Sequence, residues 1–345
     1  MENKLIQFDT IEPTEVKWLW YPYIPLGKLT LMQGDPGSGK TMLCLKIASM
    51  ITNGELLPCE NEEEHPIVPK DPGIVVYQTA EDGLADTIIP RLMTMNPDLE
   101  KIYTIDESDI SLSLLDIRIE DTLKQLRPRL MIIDPLQAYL GSKIDMHRAN
   151  EVRPVLAQIG RLAEKYQCSI IFIMHMSKMT GAKTMYRALG SIDIPAAARS
   201  MLTIGKNPEN ADERVMCHIK SSLAIEGKSL CYQIDFDNGG IVFGDFCDLT
   251  SDEVLLAPGK KSEKTGLMID EAKEFLKEIL EEGSAKATDV IKSAFAIGIK
   301  KRTLSYARTE LGIKTKRKGF GSSGIQWWYF EGKEIPEKNY EELNT

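Results

Sequence analysis

Gly34 to Thr41 reads G-D-P-G-S-G-K-T and fits G-x-x-x-x-G-K-[ST], the phosphate-binding loop. A triphosphate crowds several negative charges together. Where glycines remove the Cβ atoms, successive backbone N–H groups can turn inward on those oxygens. The N-terminal partial positive charge of the following helix adds to them. Lys40 is then placed to reach the β- and γ-phosphates, and the Thr41 hydroxyl to ligate Mg²⁺. The expected nucleotide contacts are Gly34, Asp35, Pro36, Gly37, Ser38, Gly39, Lys40, Thr41 and Met42. Both flanks agree: Lys28 to Gln33 (K-L-T-L-M-Q) reads as a strand, and Met42 to Met50 as a mostly apolar helix.

Outward from the loop, the chain alternates apolar runs with helical patterns, which predicts an α/β fold with a mostly parallel sheet. Gly73 to Tyr77 is a continuous apolar strand that ends in Q-T-A-E-D-G. Glu81 and Asp82 thus fall just past its C-terminal end, the edge where open α/β sheets bind ligands. One of them orients an attacking water, with Glu81 preferred, or else caps the next helix. Arg129 to Asp134 (R-L-M-I-I-D) runs four apolar residues into an aspartate, the Walker B pattern, so Asp134 is the second candidate for the metal beside Thr41. Glu151 to Tyr166 carries an i, i+3, i+4, i+7 apolar stripe and reads as a long helix. Ser169 to Met174 is a further buried strand and delivers His175, Ser177 and Lys178 to the same edge. His175 is there either as a structural histidine or as a group that hydrogen-bonds the γ-phosphate. Arg187 and Arg199 precede the strand Met201 to Ile204, and a guanidinium suits charge spreading over a transferring phosphoryl group. At least one of the two is structural. W-L-W-Y-P-Y-I-P (Trp18 to Pro25) cannot be helical and is either a core lead-in strand or a platform near the base or a subunit contact. Thr87 to Met95 is expected as helix and Ile102 to Asp106 as strand. Val215 to Lys220 and Ser229 to Phe236 are expected as paired antiparallel strands, and Ile241 to Phe243 as a third short strand.

The 345 residues leave room for one large domain and a smaller one. With 43% hydrophobic and 27% charged residues, the chain is an ordinary globular one, and no apolar run reaches the ~20 residues of a membrane span. The N-terminus lacks a secretory pattern. Six scattered cysteines form no C-x-x-C, which predicts a cytoplasmic protein without disulfides or structural zinc. A net charge of −9 argues against nucleic acid until its distribution is read. From Lys260 to Phe330 there are 15 Lys/Arg against 9 Asp/Glu, so the rest of the chain carries −15. An acidic body with a basic C-terminal module predicts that the module meets phosphate.

The expected division is an ATPase domain at 1–250, a linker at 251–265, a DNA-binding domain at 266–331 and an acidic tail at 332–345. The third region reads as three helices, the second capped by Ser284, and a hairpin from Lys314 to Phe330 with at least one of Trp327 and Trp328 in its core. That is the pattern of a winged helix. Its candidate DNA contacts are Lys300, Lys301, Arg302 and Arg308 on the third helix, and Lys316, Arg317 and Lys318 on the hairpin. A basic protein-interaction module is the alternative.

The succession I-P-L-G-K-L-T-L-M-Q-G-D-P-G-S-G-K-T, A-E-D, M-I-I-D-P-L, H-M-S-K and K-S-S-L-A-I-E-G-K-S-L resembles the RepA-like branch of the RecA-fold ATPases, hexameric replicative DNA helicases of plasmids and phages. The resemblance covers roughly residues 15 to 245. It implies a RecA-like core that uses ATP and Mg²⁺, with Glu81 as the catalytic glutamate, Asp134 as the Walker B aspartate and His175 in the family's H-H-x-S-K segment, where Met176 replaces the second histidine. It further implies Arg199 as the arginine finger given to a neighbouring subunit, and Lys220 near the subunit interface. DnaB-type helicases have an arginine two residues after that lysine, whereas this chain has Ser222. The expected activity is a DNA translocase or helicase that assembles as a hexamer, with Lys40, Glu81, Asp134, His175 and Arg199 in its catalytic site. Channel-facing candidates are Lys143, Arg148, Lys178 and Lys183. The alternative is a recombination or regulatory ATPase that uses ATP as an assembly switch without unwinding.

Overall fold

Trp18, Trp20, Tyr23 and Ile24 are buried, so the lead-in is a core element: β1 (Trp18–Trp20) pairs antiparallel with β2 (Ile24–Pro25). The computed structural model describes residues 5–60, 71–141, 144–146, 148–176, 193–255, 263–281, 283–299, 301–318 and 325–332. From the lead-in the chain alternates as its apolar runs require. β3 (Leu29–Gly34) enters α1 (Lys40–Asn53), and β4 (Val75–Thr79) leads through a π-helical turn at Leu84–Ile88 into α2 (Ile89–Met93). β5 (Ile102–Tyr103) precedes α3 (Ile117–Leu126). β6 (Leu130–Asp134) is followed by α4 (Leu136–Tyr139) and α5 (Ala149–Tyr166), and β7 (Ser169–His175) by α6 (Asp193–Ala197) and β8 (Ser200–Lys206). Three antiparallel strands, β9 (Glu213–Ser221), β10 (Ser229–Asp235) and β11 (Gly240–Cys247), and α7 (Ser251–Leu255) complete this part.

The nine strands lie in the order β11-β10-β9-β8-β3-β7-β6-β4-β5, parallel from β8 to β5. Continuous apolar strands suit a sheet covered on both faces. Successive side chains alternate between two cores: Met32, Leu130 and Ile132 pack with Leu43 and Ile47 of α1, while Leu31, Met131 and Ile133 pack with Ile119 of α3 and Val155 and Ile159 of α5. Each such fully buried aliphatic contributes about 1.5–3 kcal/mol.

Two expectations change here. The strand expected from Ile102 to Asp106 pairs only at Ile102 and Tyr103, because the buried Gln78 side chain takes over beyond it. Gln78 accepts from Ile105 N at 3.0 Å and Thr104 Oγ1 at 3.1 Å, and donates to Ile105 O at 3.1 Å. The helix expected from Thr87 begins as the π-turn, and Pro90, at the start of α2, has no N–H to continue an α-helical ladder backward.

His218 on β9 ties the lead-in to the sheet. Its Nδ1 accepts from Gly227 N at 2.9 Å, so Nε2 carries the proton and faces Ser200 Oγ at 3.1 Å, while Tyr23 OH donates to Lys228 O at 2.7 Å. Burial pushes the His218 pKa down from 6.5 to about 4. The folded value lies below the unfolded one, so this contribution is complete above pH 6.5 and is lost as pH falls from 6.5 towards 4. The loss is of order 3 kcal/mol. Urea unfolding between pH 7 and pH 5 should show falling stability, and His218→Asn should flatten that dependence.

The chain divides into two compact units, Met1–Leu256 and Ala257–Thr345. The start of the expected linker therefore belongs to the first unit. α7 packs on β8, where Val254 is buried and a Cβ on Gly205 would stand 2.4 Å from Val254 Cγ1.

The second unit consists of α8 (Glu263–Ile279), β12 (Ala285–Lys286), α9 (Ala287–Ala296), α10 (Lys301–Glu310), β13 (Lys314–Lys318) and β14 (Ile325–Tyr329), with sheet order β12-β14-β13. Leu276, Val290, Leu304, Ala307 and Trp328 form its core. Ser284 does not cap α9: residues 285 and 286 pair with Trp328 and Trp327 instead, which moves the N-cap to Lys286. The expected acidic tail lies outside the described residues, apart from Gly332. Among the described residues no helix is long and apolar enough to cross a membrane.

Candidate active site

The parallel register brings the predicted residues to one edge. Gly34, at the end of β3, stands beside His175, at the end of β7, and Asp134, at the end of β6, stands beside Thr79, two residues before Glu81. The neighbouring strands, not the nucleotide alone, dictate the first glycine. A Cβ on Gly34 would fall 2.3 Å from the Ile204 carbonyl oxygen of β8 and 2.8 Å from Ser38 Oγ. Gly37 and Gly39 have φ of +72° and +99°, the left-handed region that favours glycine. As N-cap of α1, Gly39 offers no side chain to the first helical N–H groups, and the first turn carries no acid. Those N–H groups and the helix dipole are left for an anion.

Lys40 is buried, and its ammonium donates to the carbonyls of Gly34 and Asp35 at 2.8 and 2.9 Å. Burial lowers its pKa, opposed by the negative charges of Asp134, Asp35 and Glu81. Asp134 is also buried. Its Oδ2 accepts from Thr41 Oγ1 at 2.9 Å and from Tyr77 OH at 3.0 Å. Burial raises the Asp134 pKa, and these two hydrogen bonds pull it back. Tyr77 was not foreseen. It is the apolar-looking tyrosine of G-I-V-V-Y, and only the β4–β6 pairing puts its hydroxyl on the carboxylate. Burial, then the neighbouring Asp134, push the Tyr77 pKa well above its ordinary value.

Glu81 and His175 meet across the edge, with His175 Nε2 at 3.3 and 3.4 Å from the two carboxylate oxygens. The Glu81 side chain is 55% exposed and His175 30%, so water reaches the pair. Asp82 is engaged elsewhere, pairing with Arg91 at 2.9 Å. Gln78 again secures the strand that carries Glu81: it donates to Glu107, which accepts from Leu112 N at 2.8 Å and from Tyr139 OH at 3.0 Å. Two more unforeseen residues back the loop. Tyr232 OH faces Gly39 O at 3.4 Å, and Arg214 Cγ lies 3.7 Å from where a Gly39 Cβ would be.

A Mg²⁺-bound nucleoside triphosphate fits this donor set. Ser38 Oγ is buried without a hydrogen-bond partner among the described residues. Lys40, an uncapped helix start and a hydroxyl–carboxylate pair supply cation, N–H donors and hard oxygen ligands.

Arg199 is not at this edge. It precedes β8, whose first residue pairs with Thr30 and whose Ile204 pairs with Gly34. Five residues separate it from the loop, roughly 16 Å along a strand. Its exposed side chain lines a groove of about 530 Å³ with Lys28, Arg153 and Arg161. Lys220 is close by, donating to Pro195 O and Ala198 O at 2.7 Å each. Its pKa is lowered by burial, then by the charge of Arg199.

A family model described as "AAA domain" matches residues 2–181, more than half of the chain, including Lys40, Thr41, Glu81, Asp134 and His175. The chain belongs to the AAA domain family. Within that family it has the α/β core expected from its sequence, a mostly parallel sheet with a P-loop at its edge. DNA repair protein RadA of Chlamydia pneumoniae is 24% identical over 154 residues, 44% of this chain and 29% of that one. RadA of Streptococcus pneumoniae is 24% identical over the same share of this chain and 31% of its own length. This AAA domain chain thus spans under a third of the length of the curated relatives it matches. A crystal structure of the RadB recombinase is similar over 64% of this chain and 91% of that one, at 19% identity and a TM-score of 0.45.

Of the remaining predicted residues, Lys316 is exposed on β13, whereas Arg308 is half-buried with its guanidinium 4.9 Å from the centre of the Trp328 ring. That stacking gives Arg308 a structural task. Arg148 is held by Asp145 at 3.3 Å and Glu151 at 3.4 Å. Ser177, Lys178, Lys183, Arg187, Lys143 and Lys300, and the side chains of Lys301, Arg302, Arg317 and Lys318, lie outside the described residues.

Proposed function

We propose that this AAA domain protein is an ATP-hydrolysing DNA translocase of the RepA-like helicase type, working as a hexameric ring with each nucleotide between two copies. The observation that carries the reading is the separation of two half-sites on one sheet. Lys40, Thr41, Glu81, Asp134 and His175 share the C-terminal edge, and Arg199 stands at the opposite one, further than an arginine reaches. A closed ring joins the two edges of neighbouring copies.

In this reading the loop N–H groups and Lys40 hold the phosphates. Thr41 and Asp134 would hold Mg²⁺, which would neutralise phosphate charge there. Tyr77 keeps the Asp134 carboxylate in place. Glu81 orients the attacking water and takes its proton, and His175 holds Glu81 at the edge. Arg199 of the next copy stabilises charge on the transferring phosphoryl group. The second unit is a winged helix, with α10 as its recognition helix and the β13–β14 hairpin, carrying Lys316, as its wing. It meets DNA, and the protein works in the cytoplasm.

A second reading is favoured by the similarity to proteins named for DNA repair: a recombination ATPase that uses ATP as an assembly switch and forms filaments. One experiment addresses both. ATPase activity is measured with and without single-stranded DNA, beside a sizing column and electron microscopy of the ATP–DNA complex. The translocase reading predicts several-fold stimulation and closed rings. Open filaments would favour the second reading, and turnover indifferent to DNA would contradict both.

A further inference from the structure

α9 spends one face on the core of the second unit. Ala287, Val290 and Ala294 are buried and Ile291 packs beside them, an i, i+3, i+4, i+7 stripe. The helix then closes on its own backbone: Gly298 N donates to Phe295 O at 3.1 Å, and Ile299 N to Ala294 O at 2.9 Å. Ile299 returns to the core and seals it. The two largest side chains of the segment are left outside, Phe295 at 76% exposure and Ile297 at 63%. They flank a tight turn in which Gly298 has φ +85°.

A single exposed apolar residue needs no explanation. Two large ones on one turn, in a core that is complete without them, point to an occupant. The charge around them indicates which kind. Lys292 is exposed one helical turn before Phe295, on the same side of α9. Asp289 is exposed one turn before Lys292, and from Val290 to Thr309 the chain has five Lys/Arg and no Asp/Glu, Arg308 among them turned onto Trp328. Elsewhere in the same unit Lys314 and Lys316 are exposed on β13. An aromatic face beside a lysine, in a stretch of net positive charge, is the chemistry that takes a nucleobase and its phosphates together.

We propose that Phe295 and Ile297 form an apolar prong at the α9–α10 turn that packs on an unpaired or unstacked base, while Lys292 holds a flanking phosphate. The proposal rests on the reading of this unit as DNA-binding, and it adds a structural preference: the unit favours DNA with an open base over a closed duplex.

The test is fluorescence anisotropy of the full-length chain on labelled DNA of one sequence in three forms, duplex, fork and single strand. Phe295→Ala should weaken binding to fork and single strand by about 5- to 100-fold, the range of one base–aromatic stack, and leave the duplex nearly unchanged. Ile297→Ala should act in the same direction with a smaller change. Lys316→Ala should weaken all three forms alike. Because Phe295 is outside the core, thermal melts should match the wild type. Wild-type affinity of Phe295→Ala for all three forms would overturn the prong and leave the patch to a protein surface. An equal loss on all three would overturn the base contact. A wild-type protein that binds none of the three would instead overturn the DNA reading itself.

Discussion

Glu81→Gln should leave ATP binding intact and lower turnover by roughly two to four orders of magnitude, the contribution of a positioned general base. The side chain keeps its size and can still face His175, so the edge should not rearrange. What it loses is the ability to accept a proton from water. The Glu81–His175 contact is exposed, so solvent reaches this carboxylate, unlike the buried Asp134. His175→Ala should cost less, because it frees the base without removing it. Single-turnover hydrolysis beside equilibrium nucleotide binding separates the two effects. Near-normal turnover in Glu81→Gln would move the base to another residue.

Lys40→Ala should reduce ATPase activity to background and, unlike Glu81→Gln, also abolish nucleotide binding. The ammonium is a buried cation at the loop, held by two carbonyls. Three carboxylates, Asp134, Asp35 and Glu81, favour its charge against burial. Its removal takes positive charge from the phosphate site and from beside Asp134, whose pKa burial already raises. In the wild type, MgATP at a hundredfold excess over Kd should add about 2.7 kcal/mol of stability, visible as a rise in Tm. Lys40→Ala should show no such rise.

Much of this edge was legible because a P-loop and a parallel sheet are both local patterns. Apolar runs that end in Gly34, Asp134 and His175 place those residues at strand ends, and strands of one sheet share an edge. Pairings between the parallel strands were not legible. Tyr77 reads as a core residue until β4 lies beside β6. Gly34 reads as a phosphate contact, and its closest constraint is the Ile204 carbonyl. Gln78 cannot be seen to replace a strand's ladder until the loop it holds is next to it. In the second unit three helices and a hairpin were legible, but one local rule misled. Ser284 is a good cap by composition, yet pairing of residues 285 and 286 with β14 moves the helix start. Arg308 reads only as a basic residue on a basic helix, and that it lies over Trp328 needed the fold.

The claim that the site is shared between copies has a direct test. Glu81→Gln and Arg199→Ala are each purified inactive, then mixed in equal amounts, with a sizing column confirming mixed assemblies. Where an Arg199→Ala copy supplies Glu81 and a Glu81→Gln copy supplies Arg199, the junction is whole. Random mixing makes about a quarter of junctions so, and about a quarter of wild-type ATPase should return. Mixed assemblies that stay as inactive as either variant alone would contradict a shared site.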